Sequence, residues 1–419
     1  MKTTKLFFMA ALALTFAACS NDDNDLTTQQ PQKAEGITIT AQLAPKTNGA
    51  TTRAVSEGGG RIFSYWAVNE HIAVLYEVGG TKYAADATIT AVDYDDLSAI
   101  IEFTVEAGTP DNTACTLVYP YSAAKDDHTG VKDAATLLAA QDGTLNANLD
   151  VRVGEGTIQT TTPGLDVTTQ PEAQFAIFKF TLSGQSIDAT HPLVIKKGEN
   201  DVVTTVTPTS SATSVYVAMP PAASSTYRFI VTTDDNKYIK SGTAAITAGK
   251  YYQTTLNLTA RYPLAPSSAT VDDLGSVIAS DGNIYLKNAA TPSGNTAVAK
   301  ICYVSGSNGL ALALADETDL MNWSTAISTC AAHTPAITGG TWKLATKDEW
   351  TNMITAAGGY EALRNGFNSV GGSNLLGSYW SSTEGDSSNA WFLIFYDGYD
   401  GWVNDLKSYD NQVRACLAF

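Results

Sequence analysis

Residues 379–419 read YWSSTEGDSSNAWFLIFYDGYDGWVNDLKSYDNQVRACLAF. The segments at its two ends, 379–384 and 413–419, indicate a rigid frame. The run between them is crowded with Tyr, Trp and Phe beside Asp, Asn, Ser and Gly. Tyr and Trp give large contact areas at low entropic cost, and Ser, Asn and Gly give adaptable hydrogen bonds. We therefore interpret the frame as an ordinary β-hairpin with an aromatic core, and the middle as a binding surface.

Length and charge limit what the whole chain can do. A chain of 419 residues is too long for one core and predicts about two to four domains. The net charge of −17 favours solubility and repels nucleic acid and anionic membrane surfaces, so we expect neither as a partner. A low content of Lys and Arg, with abundant Thr, Ala, Gly, Val and Tyr, is typical of an extracellular β-protein.

Residues 1–19 have the pattern of a targeting segment. Lys2 and Lys5 form a basic start, an apolar run follows at 6–18, and Cys19 comes next. The run is too short to span a bilayer as a mature helix. The segment resembles a bacterial lipoprotein signal, which implies that Cys19 is lipidated. The acidic run at 20–25 resembles a surface-export tag, and a flexible solvated tether is compatible with the same residues.

Strand patterns dominate the next part of the chain. Ile37–Leu43 alternates apolar and polar residues, as one half-buried strand does. Residues 71–83 predict a hairpin, and a second run of strands extends over 175–260. Arg53 lies between a Thr pair and a Gly-rich stretch, where we expect exposed backbone that proteases can reach. The fold class is therefore mainly β, with two β-sandwich-like domains.

Five short motifs follow one another here: Thr-Arg-Ala at 52–54, Tyr-Pro-Tyr at 119–121, Phe-Lys-Phe-Thr-Leu at 178–182, Ala-Met-Pro at 218–220 and Ala-Gly-Lys-Tyr-Tyr at 248–252. Together they resemble the fimbrillin family, the subunits of type V pili on bacterial surfaces. The resemblance implies that a protease cuts after Arg53 and removes Ile37–Leu43. Another fimbrillin subunit would then add its terminal strand to the open groove by β-strand addition. Before that cut, lipidated Cys19 would be the chain's membrane contact.

Composition changes after the Pro/Ser-rich boundary at 261–268. Residues 319–332 predict a helix with four apolar side chains at helical spacing, namely Leu320, Trp323, Ile327 and Cys330. The residues Thr346-Lys347-Asp348-Glu349 form a capping box that predicts the start of a second helix. Gly358-Gly359 predicts its end. We interpret the aromatic and Met positions of these helices as core.

The motifs Gly-Thr-Trp-Lys-Leu at 340–344 and Tyr-Trp-Ser-Ser at 379–382, with two helices between strands, resemble the C-type lectin-like fold in its bacterial branch. The resemblance implies an α+β domain with a long disulfide between Cys330 and Cys416, and Cys302 is an alternative partner. Such a bridge would add about 4 kcal/mol. The predicted divisions are a signal at 1–19, a tether with the removable strand at 20–53, two fimbrillin-type β-domains at 54–165 and 166–261, and the lectin-like domain at 262–419.

Chemistry at a metal or cofactor is not expected. Trp402-Val403-Asn404-Asp405 resembles a motif of calcium-dependent lectins, but Val403 interrupts it and we find no Glu-Pro-Asn triplet. Two candidate oxygen ligands, Asn404 and Asp405, are too few for calcium. The four histidines are scattered, and the sequence has no phosphate loop, zinc motif or nucleophile elbow. We therefore predict no metal, no cofactor and no enzymatic activity.

The lectin-like branch includes variable proteins diversified by retroelements. The residue types common between 392 and 411 are reachable from an Asn codon by changing adenines, so we hypothesise that this stretch varies between strains. For the ligand surface, an exposed aromatic and acidic face, we predict ten residues: Phe392, Ile394, Tyr396, Tyr399, Asp400, Trp402, Asn404, Asp405, Tyr409 and Asp410.

Two functions fit the sequence. In the first, the chain is a pilus tip adhesin on the cell surface that accepts a strand from another subunit and binds a glycan or protein. Residues 417–419 are expected in an internal strand, which leaves no tail to donate and favours an end position. In the second, it is a cell-anchored surface lipoprotein that does not polymerise.

Overall fold

The computed structural model describes residues 36–46, 55–58, 61–93, 95–287, 290–396 and 399–419. The predicted lipidation residue Cys19 and the predicted cleavage residue Arg53 lie outside these ranges. The prediction of a mainly β chain is confirmed. Among the described residues, no helix has the length and apolar character needed to cross a membrane.

The described residues of the first part of the chain form ten strands and one short α-helix. They are β1 Ile37–Leu43, β2 Val55–Gly58, β3 Arg61–Ser64, β4 His71–Val78, β5 Thr81–Val92, β6 Ala99–Val105, β7 Thr113–Tyr119, α1 Ala134–Leu138, β8 Ala140–Gln141, β9 Arg152–Gln159 and β10 Gly164–Ala173.

Seven of these strands form one sheet, in the order β1-β6-β5-β4-β7-β9-β10. Alternate side chains along the strands pack into one core, which includes Ile39, Ile101 and Leu117. Ala44, just after β1, donates its backbone N–H to the side-chain oxygen of Gln170 on β10 at 3.2 Å. The two edges of the sheet therefore approach each other, and the sheet curls around its own core.

The second part contains eight strands. They are β11 Ala176–Ser183, β12 Leu193–Lys197, β13 Asp201–Val206, β14 Ser214–Met219, β15 Ala222–Thr232, β16 Lys237–Ile246, β17 Tyr251–Asn257 and β18 Thr259–Ala260.

These strands form a sandwich of two sheets. A three-stranded sheet, β14-β11-β17, faces a six-stranded sheet, β18-β16-β15-β12-β13-β8. Phe180 of the smaller sheet packs edge-to-face on Phe229 of the larger one at 5.1 Å between centroids. The outer face of the smaller sheet contributes Ile177 and Ala218 to a further core that also contains Leu75 of β4. One apolar cluster therefore joins the first part of the chain to the second.

The described residues of the third part form nine strands and three α-helices. They are β19 Val277–Ala279, β20 Ile284–Tyr285, β21 Ala297–Ser305, β22 Asn308–Ala313, α2 Trp323–Ala331, β23 Thr341–Leu344, α3 Lys347–Ala357, α4 Tyr360–Asn365, β24 Gly377–Glu384, β25 Asn389–Tyr396, β26 Tyr399–Leu406 and β27 Ala415–Ala418. One sheet has the order β20-β19-β21-β22-β27-β23, and a second has the order β24-β25-β26.

The capping box of α3 forms as predicted. The Thr346 side chain accepts from the backbone N–H of Glu349 at 3.1 Å, and the Glu349 carboxylate accepts from that of Thr346 at 2.8 Å. Gly358 ends the helix at φ 92°, a left-handed conformation that glycine adopts without steric cost. The helix predicted at 319–332 begins later, at Trp323, because Asn322 caps it. Leu320 precedes the helix and is 60% exposed, so it is not a core residue.

The expected disulfide of Cys416, with Cys330 or Cys302, is not formed, since all four described cysteines are free and buried. Successive side chains of a strand point to opposite faces. Leu417 of β27 therefore packs in the core that contains Cys330, whereas Cys416 packs in the core around α3. The sheet thus separates Cys330 from Cys416. Cys302 shares a core with Cys416, but β22 lies between their two strands.

Candidate functional site

The strands β25 and β26, which we call the ribbon, contain eight of the ten predicted ligand residues. They pair antiparallel from Asn389↔Leu406 to Tyr396↔Tyr399, and β26 is the last strand of its sheet. The other two predicted residues, Tyr409 and Asp410, follow β26 and are exposed. The ribbon therefore places the predicted residues on the edge strand of this sheet, on the strand beside it, and just after the edge strand.

The alternation of the strands divides the predicted residues between two faces. On β25, Phe392, Ile394 and Tyr396 share one face, and Tyr399 of β26 pairs with Tyr396 on that side. Asp400, Trp402 and Asn404 lie on the opposite face, across from Phe395, Leu393 and Trp391. The expectation of a single ligand face is therefore corrected, because residues with even and odd numbers on one strand cannot point the same way.

Phe392 is a core residue and not a surface residue. Its side chain is 8% exposed and packs edge-to-face on Trp380 at 5.7 Å between ring centroids. Ile394 is half-buried against the same core. The prediction of Phe392 as a ligand residue is wrong, because the face it shares with Ile394 covers the core beneath the sheet.

Tyr396 and Tyr399 form the exposed part of that face. They are 49% and 59% exposed and sit directly across from each other. A Cβ placed on Gly401 would lie 3.8 Å from the Tyr399 hydroxyl oxygen, so the Tyr399 ring lies along β26 over this glycine. We call Ile394, Tyr396, Tyr399 and Gly401 the tyrosine patch.

A lysine covers the aromatic rings of the opposite face. Lys347 Nζ lies 3.3 Å from the ring centroid of Trp391 and 5.3 Å from that of Trp402. A cation over an aromatic face is attracted by the ring quadrupole. Trp402 itself is half-buried against the α3 core. The sequence prediction missed Trp391 and Lys347, although period-2 alternation from Leu393 would have placed Trp391 on this face.

The acidic residues Asp400 and Asp405 of the ribbon both contact groups of the chain itself. Arg364 Nη1 lies 3.3 Å from Asp400 Oδ1 and also donates to the Tyr396 carbonyl oxygen at 3.0 Å. Asp405 is half-buried, and its Oδ1 accepts from the Leu406 backbone N–H at 2.8 Å. Asn404 is exposed. Within the described ranges, no three His, Cys, Asp or Glu side chains come together in a way that could hold a metal ion.

The predicted removable strand, β1, lies at the opposite end of the chain and also occupies a sheet edge. It pairs with β6 over its whole length, from Ile37↔Val105 to Leu43↔Ala99. Every second side chain points inward, and Ile39 and Leu43 are fully buried. β1 therefore closes one side of the first core.

Glu57 fixes the chain on the far side of the predicted cleavage residue. Its carboxylate accepts hydrogen bonds from Lys179 at 2.5 Å, from Tyr216 at 2.5 Å and from Tyr251 at 2.6 Å. Burial raises the pKa of Glu57, but these hydrogen bonds outweigh it and lower the pKa to about 2. The hairpin of β2 and β3 is thus anchored to the sandwich. No local pattern in the sequence indicates this contact, because the three donors lie more than a hundred residues away.

Comparison with known proteins gives only distant matches. No family model matches the chain, and no curated protein matches it. Among solved structures, a fimbrial protein from Bacteroides ovatus is 12% identical, with 92% of this chain and 99% of that chain covered and a TM-score of 0.27. A fimbrial assembly protein from Parabacteroides distasonis is 15% identical, with 52% and 90% covered and a TM-score of 0.30. TM-scores this low do not establish a shared fold, so they support no argument about this chain.

Proposed function

We propose that this chain is a fimbrillin-family pilus subunit that exchanges β1 for a strand of another subunit and binds a surface ligand through the ribbon. In this proposal, 54–165 and 166–261 are the fimbrillin-type domains, and 262–419 is a C-type lectin-like domain. Lipidated Cys19 holds the precursor at the outer membrane until cleavage after Arg53 releases it.

The position of β1 is the observation that carries the proposal. Removing an edge strand leaves a row of unpaired backbone groups on its neighbour, here β6, and this is a template for another strand. Loss of the inward side chains Ile39, Ala41 and Leu43 would also open the first core. A strand from another subunit with the same alternation restores both the hydrogen bonds and the apolar contacts.

The anchoring of the β2–β3 hairpin supports a cut at Arg53. Glu57 holds the chain after the cut, and β1 holds the chain before it. Cleavage between them therefore separates β1 from a fixed hairpin without disturbing the sandwich.

The ligand surface is proposed at the tyrosine patch. Exposed Tyr side chains are efficient anchors for a glycan or a protein because they bury a large area and lose little entropy. In this proposal the chain occupies the tip of the pilus.

The test is cleavage of the full chain with an arginine-specific protease, with Arg53→Ala as the control. We expect a new N-terminus at Ala54 by mass spectrometry, followed by incorporation into pili when polymerising fimbrillin subunits are added. The Arg53→Ala chain should stay intact and outside the pili. Equal incorporation of both chains would overturn the proposal, and absence of both from pili would favour a non-polymerising surface lipoprotein.

A further inference from the structure

Lys46 follows β1 by three residues, and its side chain is buried. The side chain is 0% exposed, and Nζ has no hydrogen-bond partner among the residues that the structure describes. Burying an ammonium group in this way is unfavourable unless opposite charges or aromatic rings surround it. The burial of Lys46 therefore points to surroundings that accept a cation.

Two carboxylates and two aromatic rings surround the amine, and we call Trp66, Glu70, Tyr119 and Asp150 the Lys46 pocket. Nζ lies 3.7 Å from Glu70 Oε2 and 3.6 Å from Asp150 Oδ2. It lies 3.6 Å from the ring centroid of Tyr119 and 4.3 Å from that of Trp66. Carboxylates and ring faces both attract an ammonium group, so all four side chains favour the same ligand.

The pocket is held in shape by residues that lie after the proposed cut. The Tyr119 hydroxyl donates to Glu70 Oε1 at 2.7 Å, and the Ala67 backbone N–H donates to Glu70 Oε2 at 3.0 Å. Ser64 donates to Asp150, and Arg152 Nε donates to Asp150 Oδ1 at 2.9 Å. These partners remain when the segment containing β1 and Lys46 departs.

The charges in the pocket favour a cation after Lys46 has left. Arg152 neutralises Asp150, and Glu70, whose side chain is 13% exposed, is then left without a counter-charge. Burial lowers the pKa of Lys46 to about 8, and Asp150 and Glu70 oppose that effect. The amine is therefore mostly protonated at neutral pH even though it is buried.

We propose that the Lys46 pocket is an ammonium-binding site that selects the strand which replaces β1. The inference rests on the proposed strand exchange. The incoming strand of another subunit places a lysine between Trp66 and Tyr119, three residues after its last inward apolar side chain, as Lys46 follows Leu43. A strand with the apolar pattern but without this lysine fills the groove and leaves the Glu70 carboxylate without a counter-charge.

The test uses the full chain cleaved after Arg53 and synthetic peptides with the sequence of residues 36–46. The released strand is exchanged for a fluorescent copy, and unlabelled competitors displace it. One competitor has the native sequence, a second has Lys46→Met, which keeps the length and apolar stem, and a third has Thr40→Met as a control at an exposed position. We expect the Lys46→Met peptide to bind at least about 10-fold more weakly than the other two.

Each outcome decides between the two proposals. If no peptide enters the cleaved chain, strand exchange itself is wrong. If all three peptides bind equally, or if both Met peptides weaken alike, strand exchange stands and the ammonium site is overturned. A second measurement uses the Glu70→Gln chain, in which the difference between the native and Lys46→Met peptides should shrink. An unchanged difference in that chain would also contradict the site.

Discussion

β1 and β26 both lie at sheet edges, but they bury their side chains differently. β1 turns every second residue into the first core, and Ile39 and Leu43 are 0% exposed. β26 only half-buries Trp402 and leaves Tyr399 59% exposed. An edge strand offers its free backbone groups to any partner chain. The difference indicates that β1 is retained by the core it fills, whereas β26 adds little to a core and presents aromatic surface to the solvent.

The largest expected effect separates the buried part of one ribbon face from its exposed part. Replacing Phe392 by Ala should lower the free energy of unfolding by about 3–5 kcal/mol, because it leaves a cavity beside Trp380. Tyr396→Ala, on the same face of β25 but exposed, should change it by less than about 0.5 kcal/mol. Urea unfolding followed by Trp fluorescence measures both variants. If both variants lose similarly little free energy of unfolding, Phe392 is a surface residue and again a candidate ligand residue.

The contrast between buried and exposed side chains can also be tested in β1. Leu43→Ala should lower the free energy of unfolding by about 2–5 kcal/mol, since the side chain is fully buried in the first core. Thr40→Ala, an outward position three residues earlier, is the matched control and should cost less than about 0.5 kcal/mol. Hydrogen exchange of the β6 amides, which pair with β1, reports the effect locally. Unchanged protection in the Leu43→Ala chain would show that β1 does not seal this core.

Local patterns in the sequence predict those features of the fold that depend on residues close together in the chain. The structure confirms the capping box of Thr346 and Glu349 and the alternation of Ile37–Leu43, because the hydrogen bonds and faces of these elements are set within a few residues. Alternation shows which side chains of a strand share a face, but not which face meets the core. For that reason alternation does not show that Phe392 is buried. The expected bridge between Cys330 and Cys416 comes from the resemblance to the lectin-like fold, and in this chain the sheet separates the two cysteines.

The Lys46 pocket shows a second reason why the sequence does not predict a site. Lys46 sits in a polar stretch of sequence, where a lysine is ordinarily exposed. Its burial depends on Trp66 and Glu70 between β3 and β4, on Tyr119 at the end of β7, and on Asp150 just before β9. No single segment contains this information, so only the assembled fold reveals it.

A pH titration tests whether the β1 edge holds a charged lysine. The pKa of Lys46 falls from 10.5 in the unfolded chain to about 8 in the folded chain. Between these values the unfolded chain binds more protons, so the free energy of unfolding rises with pH, by roughly 3 kcal/mol at most. Lys46→Met should remove this rise, and Lys82→Met, at an exposed position, should retain it. Parallel curves for all three chains would contradict the burial of Lys46.

The smallest expected effect on stability is at the β26 edge, where the expected effect on binding is large. Tyr399→Ala should change the free energy of unfolding by less than about 0.5 kcal/mol, because its ring lies outside the core. The same change should weaken binding of the full chain to a glycan array or to host-cell surfaces by roughly 30-fold, the loss typical of a central aromatic anchor. Leu320→Ala, at an apolar residue that is 60% exposed outside the ribbon, should bind like the native chain. If Tyr399→Ala also binds like the native chain, the tyrosine patch is not the ligand surface, and the face of Trp391 and Lys347 becomes the candidate to test.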